Sequence, residues 1–371
     1  MILINGLDPM GVFFSVGIFF ILSGIYFGVT VPVQPMKVIG AYAIATAMPP
    51  GEILASGAIM GLMLLVIGGT NAITLIGRYV PQSVIRGVQL STGILLMTQG
   101  VRFIIGTSRF QLLRDTAEPY LTFQSLGPIQ IGIVIGILSG FITLLLLDNR
   151  RFPAALCVVA GGILTGLIIG TGEGLDKVRF GWHLPSILPF GLPARADFAV
   201  AFFTLALPQL PMTLGNAVIA NGDLSQQYFG EASARVTYRA LTLSMALANG
   251  LSFLIGGMPL CHGAGGLAAH YRFGARTAGS NLYIGAIFLM LALLFGAQAL
   301  AFVYLIPMSV LGILLLFAGS QLAMTMIDLQ RRKDLFVSLL MVGITLAANL
   351  AFAFAIGIGL AWLLRACLLY T

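Results

Sequence analysis

Apolar runs of about 20 residues recur from one end of the chain to the other, separated by short polar breaks. Each run is long enough, as a helix, to cross about 30 Å of hydrocarbon. The runs are continuous and do not alternate residue by residue, which argues against a β-barrel. The pattern predicts helical segments at 10–29, 35–47, 51–69, 81–101, 127–147, 153–170, 197–216, 236–256, 263–272, 278–297, 307–326, 335–349 and 351–367. The expectation is an all-α polytopic membrane protein of about 13 helical segments, with no soluble domain of any size. Two segments, 35–47 and 263–272, are too short to span. Each follows a Gly/Pro-rich approach, GVTVPVQPMK and GGMPLCHGAGG. Proline removes a backbone donor and glycine tolerates irregular dihedrals. Irregular backbone persists at membrane depth only where it is buried in protein or lines a cavity.

The two breaks occupy corresponding places. YVPQSVIRGVQLSTGILL (Tyr79–Leu96) can be laid on LIPMSVLGILLLFAGSQL (Leu305–Leu322). Pro81 then falls on Pro307, Ser83 on Ser309, Val84 on Val310, Gly93 on Gly319 and Leu96 on Leu322, an offset of 226. Pro32 falls on Pro259 at an offset of 227, with Gly28 and Gly256 close before them. Two motifs at nearly one offset point to an internal repeat. Paired, interrupted segments in two halves point to a transporter's binding site. The halves divide as residues 1–196 and 197–371. The second half opens with DFAVAFFTLALPQLPMTLGNAVIANGDL, and subtracting the offset from Asp197 falls before Met1. The first half is therefore expected to lack its first helix, through truncation or a start codon assigned late.

Composition agrees with the pattern. Of 371 residues, 58% are hydrophobic and 8% charged, against roughly 25% charged in soluble domains; mean hydropathy is +1.01. The net charge of +7 is scattered among short loops, which reports orientation rather than nucleic-acid binding. DNRR (Asp148–Arg151), Arg272 with Arg276, and QRRKD (Gln330–Asp334) fall on one side when helices are counted alternately. That side is expected to be cytoplasmic, and the C-terminus with it. Arg102, Arg109 and Arg114 fall on the other side and argue mildly against this; the acidic Asp115 and Glu118 weigh little in the rule. The first basic residue is Lys37, so no signal peptide is recognisable. Cys157, Cys261 and Cys367 are far apart and form no disulfide framework.

The two short helices would each begin near mid-membrane with free N–H groups and the positive end of a dipole at the break. Two such ends facing one another suit a tetrahedral oxyanion. Gly263, Gly265 and Gly266 let a ligand approach the backbone, Lys37 adds a charge, and Gln34 and His262 can donate hydrogen bonds. Other readings stand beside this one: close packing for the glycines, snorkelling for Lys37, and a solvated cytoplasmic end for His270, Arg272 and Arg276. Pro208 and Pro211 are expected to interrupt the helix, and beside them Gln209, Thr213 and Asn216 share one helical face, as a cavity lining or as interhelical hydrogen-bonding groups. The cluster Cys261, His262 and His270 lacks the further ligands a structural zinc site needs. There is no HExxH, GxSxG or P-loop motif. Neither an enzyme nor a cofactor is expected. No carboxylate sits mid-helix to make a proton relay evident.

VPVQPMKVIGAYA (Val31–Ala43), LPQLPMTLGNAVIA (Leu207–Ala220) and GGMPLCHGAGGLAAHYRFGART (Gly256–Thr277) resemble stretches of the molybdate transporter family of plants, fungi and prokaryotes, which is related to the sulfate permeases. The resemblance covers nearly the whole chain. It implies a fold like the sulfate and uracil permeases, with two inverted seven-helix repeats arranged as a core and a gate domain. It also implies a substrate held between the third and tenth helices, with the first and eighth alongside. Carried over, the substrate-binding candidates are Gln34, Pro35, Met36, Lys37, Gln209, Thr213, Asn216, Cys261, His262, Gly263, Ala264, Gly265 and Gly266. Members of the family begin with a GDLGTFLPL-like helix that nothing here matches, in agreement with the repeat arithmetic.

The implied function is secondary active transport of molybdate, with sulfate as the alternative oxyanion. A truncated, non-transporting structural paralogue is the rival class. The implied setting is a lipid bilayer, the bacterial cytoplasmic membrane, without nucleic acid; a homodimer is left open.

Overall fold

A computed structural model describes residues 1–70, 80–147, 149 and 151–366. Tyr79 at the head of the aligned stretch, Asp148 and Arg150 of the basic turn, and Cys367 lie outside the described residues. The helices of seven residues or more among the described residues number 13. They are α1 (Pro9–Phe27), α2 (Lys37–Thr46), α3 (Pro50–Thr70), α4 (Gln82–Ile104), α5 (Ile131–Leu146), α6 (Ala154–Ile169), α7 (Arg195–Ser233), α8 (Tyr238–Leu254), α9 (Ala264–Arg272), α10 (Gly279–Phe295), α11 (Met308–Met324), α12 (Arg332–Ala347) and α13 (Leu350–Ala366). Among the described residues, six helical spans are long and apolar enough to cross a membrane, and α2 and α9 are not among them.

The element starts follow local chemistry. Asp8 caps α1, its carboxylate accepting the N–H groups of Met10 at 3.3 Å and Gly11 at 3.0 Å, with Pro9 preset for the first turn. Pro81 and Pro307 stand extended immediately before α4 and α11. The carboxylate of Glu118, on the connection after α4, reaches α11 and accepts the N–H groups of Met308 and Ser309, both at 2.8 Å. Burial pushes this carboxyl above the usual range, and the hydrogen bonds from Ser309 and Met308 pull it back.

Two helical bundles result. In one, α1 packs on α10 and α3 on α8; in the other, α4 packs on α11, with α12 and α13 against α4. Glycine lets the paired backbones approach, as small residues do between membrane helices. A Cβ on Gly93 would lie 2.6 Å from the Gly319 carbonyl oxygen, and a Cβ on Gly319 would lie 2.6 Å from that of Gly93. Gly100 and Gly312 repeat the relation at 2.5 and 2.6 Å. The repeat offset thus reappears as geometry, since Gly93 and Gly319 are equivalent positions that touch each other.

Two expectations change. The segment 197–216 extends into one helix of 39 residues, α7, which Pro208 and Pro211 do not break. Wider π turns at Ala201–Ala206 and Thr213–Ile219 flank the prolines, where the regular ladder loses donors. The short helix expected from residue 35 starts at Lys37, and Gln34–Pro35 forms a strand instead. A residue before proline is driven out of the helical region, which holds Gln34 extended.

Candidate functional site

Each break opens on a glycine in the left-handed region, Gly28 at φ 74° after α1 and Gly256 at φ 72° after α8. The chains then run toward each other. Gln34–Pro35 (β1) pairs antiparallel with Leu260–Cys261 (β2), Gln34 opposite Cys261 and Pro35 opposite Leu260. The N–H of Met36 donates to the Pro259 carbonyl at 2.9 Å. The ladder delivers the N-termini of α2 and α9 to one place.

The two N-termini are not equivalent. Gln209 of α7 occupies the first, its Oε1 accepting the N–H groups of Val38 at 2.8 Å and Ile39 at 3.3 Å. Thr213 steadies that amide, accepting from Gln209 Nε2 at 2.9 Å. The second begins on Gly263, which has no side chain to cap it. The N–H groups of Ala264, Gly265 and Gly266 find no acceptor among the described residues. Gln34 lies directly over this turn. A Cβ on Gly263 would stand 1.6 Å from Gln34 Nε2, and one on Gly266 3.3 Å from it. That Nε2 is buried and has no hydrogen-bond partner among the described residues. A Cβ on Gly265, which is exposed, would stand 3.6 Å from Lys37 Nζ. One uncapped helix start, one buried amide without a partner and one ammonium therefore converge. Each is a donor, and together they match the acceptors of an oxyanion.

Beside them a cavity of about 1220 Å³ opens between the two bundles. Gln34, Pro35, Met36, Lys37 and Asn216 line it, facing Gln82, Arg86 and Gln89 of α4 and Leu311, Leu315, Ala318 and Leu322 of α11.

Residues 1–96 and 201–322 match the family described as "Molybdate transporter of MFS superfamily". The chain belongs to the molybdate transporter family. It is 30% identical to Molybdate transporter 2 of Arabidopsis thaliana over 98% of this chain and 82% of that one. It is 31% identical to Molybdate transporter 1 of the same plant, over 92% and 78%. Among solved structures, the transmembrane domain of the cyanobacterial bicarbonate transporter BicA superposes with a TM-score of 0.63 at 16% identity, over 93% of this chain and 88% of that one. SLC26A9 superposes with a TM-score of 0.62 at 14% identity, over 97% and 64%. These likenesses identify the fold, the inverted-repeat membrane fold of anion transporters. The protein is an integral membrane transporter and not an enzyme.

Within this family member, several residues expected at the ligand are engaged by other parts of the protein. Gln209 and Thr213 are buried, Gln209 turned to α2 and Thr213 bonded to Gln209, and of that stripe only Asn216 lines the cavity. His262 is fully buried. Its Nδ1 meets the Pro32 carbonyl at 2.8 Å and its Nε2 meets the Ser244 hydroxyl at 3.0 Å, with the ring against Phe19 and Phe27. A carbonyl only accepts, so Nδ1 carries the proton and Nε2 accepts from Ser244. The histidine braces the break and has no donor left for a ligand. Cys261 is buried in the ladder, its Sγ 3.7 Å from the Pro35 carbonyl oxygen.

Other residues were not legible as parts of the site. Asn249 clamps the second break, donating to the Leu260 carbonyl at 2.8 Å and accepting its N–H at 3.0 Å. Asn281 clamps the first, donating to the Val31 carbonyl at 2.6 Å and accepting its N–H at 3.3 Å. Arg86 faces the same cavity as Lys37. An arginine inside an apolar segment is a signal by itself, and QSVIRGVQ carried it.

Proposed function

We propose that this protein is a secondary transporter of molybdate, bound at the start of α9 between Gln34, Lys37 and Asn216. The observation that carries the reading is the uncapped turn Ala264–Gly266, with the amide of Gln34 over it and Lys37 Nζ beside it. Backbone donors and one ammonium neutralise a dianion without burying several cationic side chains, which a bilayer makes expensive. The cavity between the bundles supports alternating access by rocking of the bundle containing α1, α3, α8 and α10 against the bundle containing α4 and α11–α13. Residues 1–196 and 197–371 are the two repeat halves in this reading. The names of the curated plant relatives support molybdate over sulfate. The basic loops support a cytoplasmic C-terminus.

Uptake of molybdate into proteoliposomes, read by elemental mass spectrometry, is the test. Saturable uptake that sulfate inhibits only weakly is expected. Robust sulfate uptake without molybdate uptake overturns the substrate. Absence of both, with the protein folded and inserted, overturns transport and favours the structural paralogue.

A further inference from the structure

Lys37 and Arg86 are the only charged side chains among the described residues that line the cavity, and both are cationic. Lys37 belongs to the helix break; Arg86 lies one turn into α4, on the opposite bundle. The guanidinium of Arg86 is engaged on two edges. Its Nη1 donates to Gln89 Oε1 at 2.7 Å. Its Nε donates to Asp328 Oδ1 at 2.9 Å and Oδ2 at 3.0 Å, and its Nη2 also donates to Oδ2. Gln82 Nε2 adds a further donor to Asp328 Oδ2 at 3.0 Å. Thr325 donates to the same Gln89 oxygen at 2.9 Å and so fixes the amide that orients Arg86.

Arg86 and Gln82 thus form a nest of three N–H donors around two oxygens of one anion. The anion is a carboxylate tethered at the end of α11, two-fifths exposed, and not itself part of the cavity wall. The planar fork of arginine that grips a carboxylate grips other oxyanions in the same way. The carboxylate is two-fifths open to solvent, so a mobile dianion arriving through the cavity can compete for the nest.

We infer that Arg86 and Gln82 form a second oxyanion site at the mouth of the cavity, which Asp328 occupies as a tethered competitor. The inference rests on the oxyanion reading of the cavity proposed above. Asp328 leaves the guanidinium when a dianion docks and returns when it moves on toward Lys37. The device keeps the second cation neutralised between turnovers and prevents a dianion from being trapped between two free positive charges.

Equilibrium dialysis of the purified full chain against sodium molybdate, with bound molybdenum counted per chain, tests this. At a molybdate concentration just sufficient to saturate it, the wild-type protein is expected to bind one anion, and Lys37→Ala to bind little at that concentration. Asp328→Asn, nearly isosteric, is expected to bind two. Asp328→Asn with Arg86→Gln is expected to return to one, and Asp328→Asn with Lys37→Ala to retain one. Asp328→Ser repeats the measurement should the asparagine variant fail to fold. One anion per chain in a folded Asp328 variant, with wild-type binding intact, overturns the second site and leaves the α9 site standing. No binding to the wild type, with one Arg86-dependent anion in Asp328→Asn, overturns the α9 site and leaves the second one standing.

Discussion

Gln209 Oε1 accepts the N–H of Val38 at 2.8 Å across 171 positions of sequence. The same oxygen takes the N–H of Ile39. A residue expected on the eighth helix as a ligand contact closes one of the two helix starts, which leaves the proposed anion site one-sided.

Gln209→Leu leaves these two N–H groups buried without an acceptor. A buried unsatisfied donor costs about 1–3 kcal/mol, so the melting temperature of the purified protein should fall by several degrees. Gln209→Glu keeps the acceptor and should restore the melting temperature. Its negative charge lies near the proposed anion site, so molybdate uptake should remain low. Unchanged stability in Gln209→Leu would show that the cap contributes nothing.

The glycines of the α9 start should differ from one another. Alanine at Gly263 would drive Gln34 from its place, because the new Cβ would stand 1.6 Å from Nε2. Gly263→Ala is expected to lower molybdate uptake at least about tenfold, as misplacement of a ligand group does. At Gly265 the nearest atom is Lys37 Nζ at 3.6 Å, an ordinary contact. Gly265→Ala should transport nearly as the wild type, whereas Gly265→Leu should fill the space before Lys37 and abolish binding. Retained binding in Gly265→Leu would count against the cradle.

Lys37→Ala removes the one full charge at the helix break. Charge-assisted hydrogen bonds contribute about 1.5–3 kcal/mol, so molybdate affinity should drop about ten- to a hundredfold. Titration of binding at two ionic strengths would separate this from loss of folding, since only the charged site responds strongly to salt.

Gly93→Ala places a methyl 2.6 Å from the Gly319 carbonyl oxygen, and Gly319→Ala does the same in the opposite direction. Overpacking of this kind costs about 1–3 kcal/mol. Both variants should melt lower, by similar amounts, because the contact is reciprocal. A large difference between them would mean that the two helices do not meet symmetrically.

Glu118→Ala removes the carboxylate that caps α11 from a distant connection. The loss of a cap costs about 0.5–2 kcal/mol. Thermal stability should fall while binding of molybdate to the folded protein is unchanged, since Glu118 does not line the cavity.

Much of this architecture is written locally in the chain. Continuous apolar runs determine membrane helices, because a bilayer leaves the backbone no other partner than its own ladder. The prolines and glycines of GVTVPVQPMK and GGMPLCHGAGG determine two breaks, and the spacing of Pro81 from Pro307 and Gly93 from Gly319 determines that they belong to related halves. The tertiary structure decided which groups at those breaks remain free. Gln209, His262 and Gln34 are all competent donors or acceptors on paper. Gln209 is taken by α2 and His262 by Pro32 and Ser244, while Gln34 is left over α9 without a partner. Arg86 and Asp328 stand 242 positions apart and meet only because α4 and α11 run antiparallel. Hydrogen-bond satisfaction is a property of what packs around a group, and sequence spacing along one helix does not report what arrives from another.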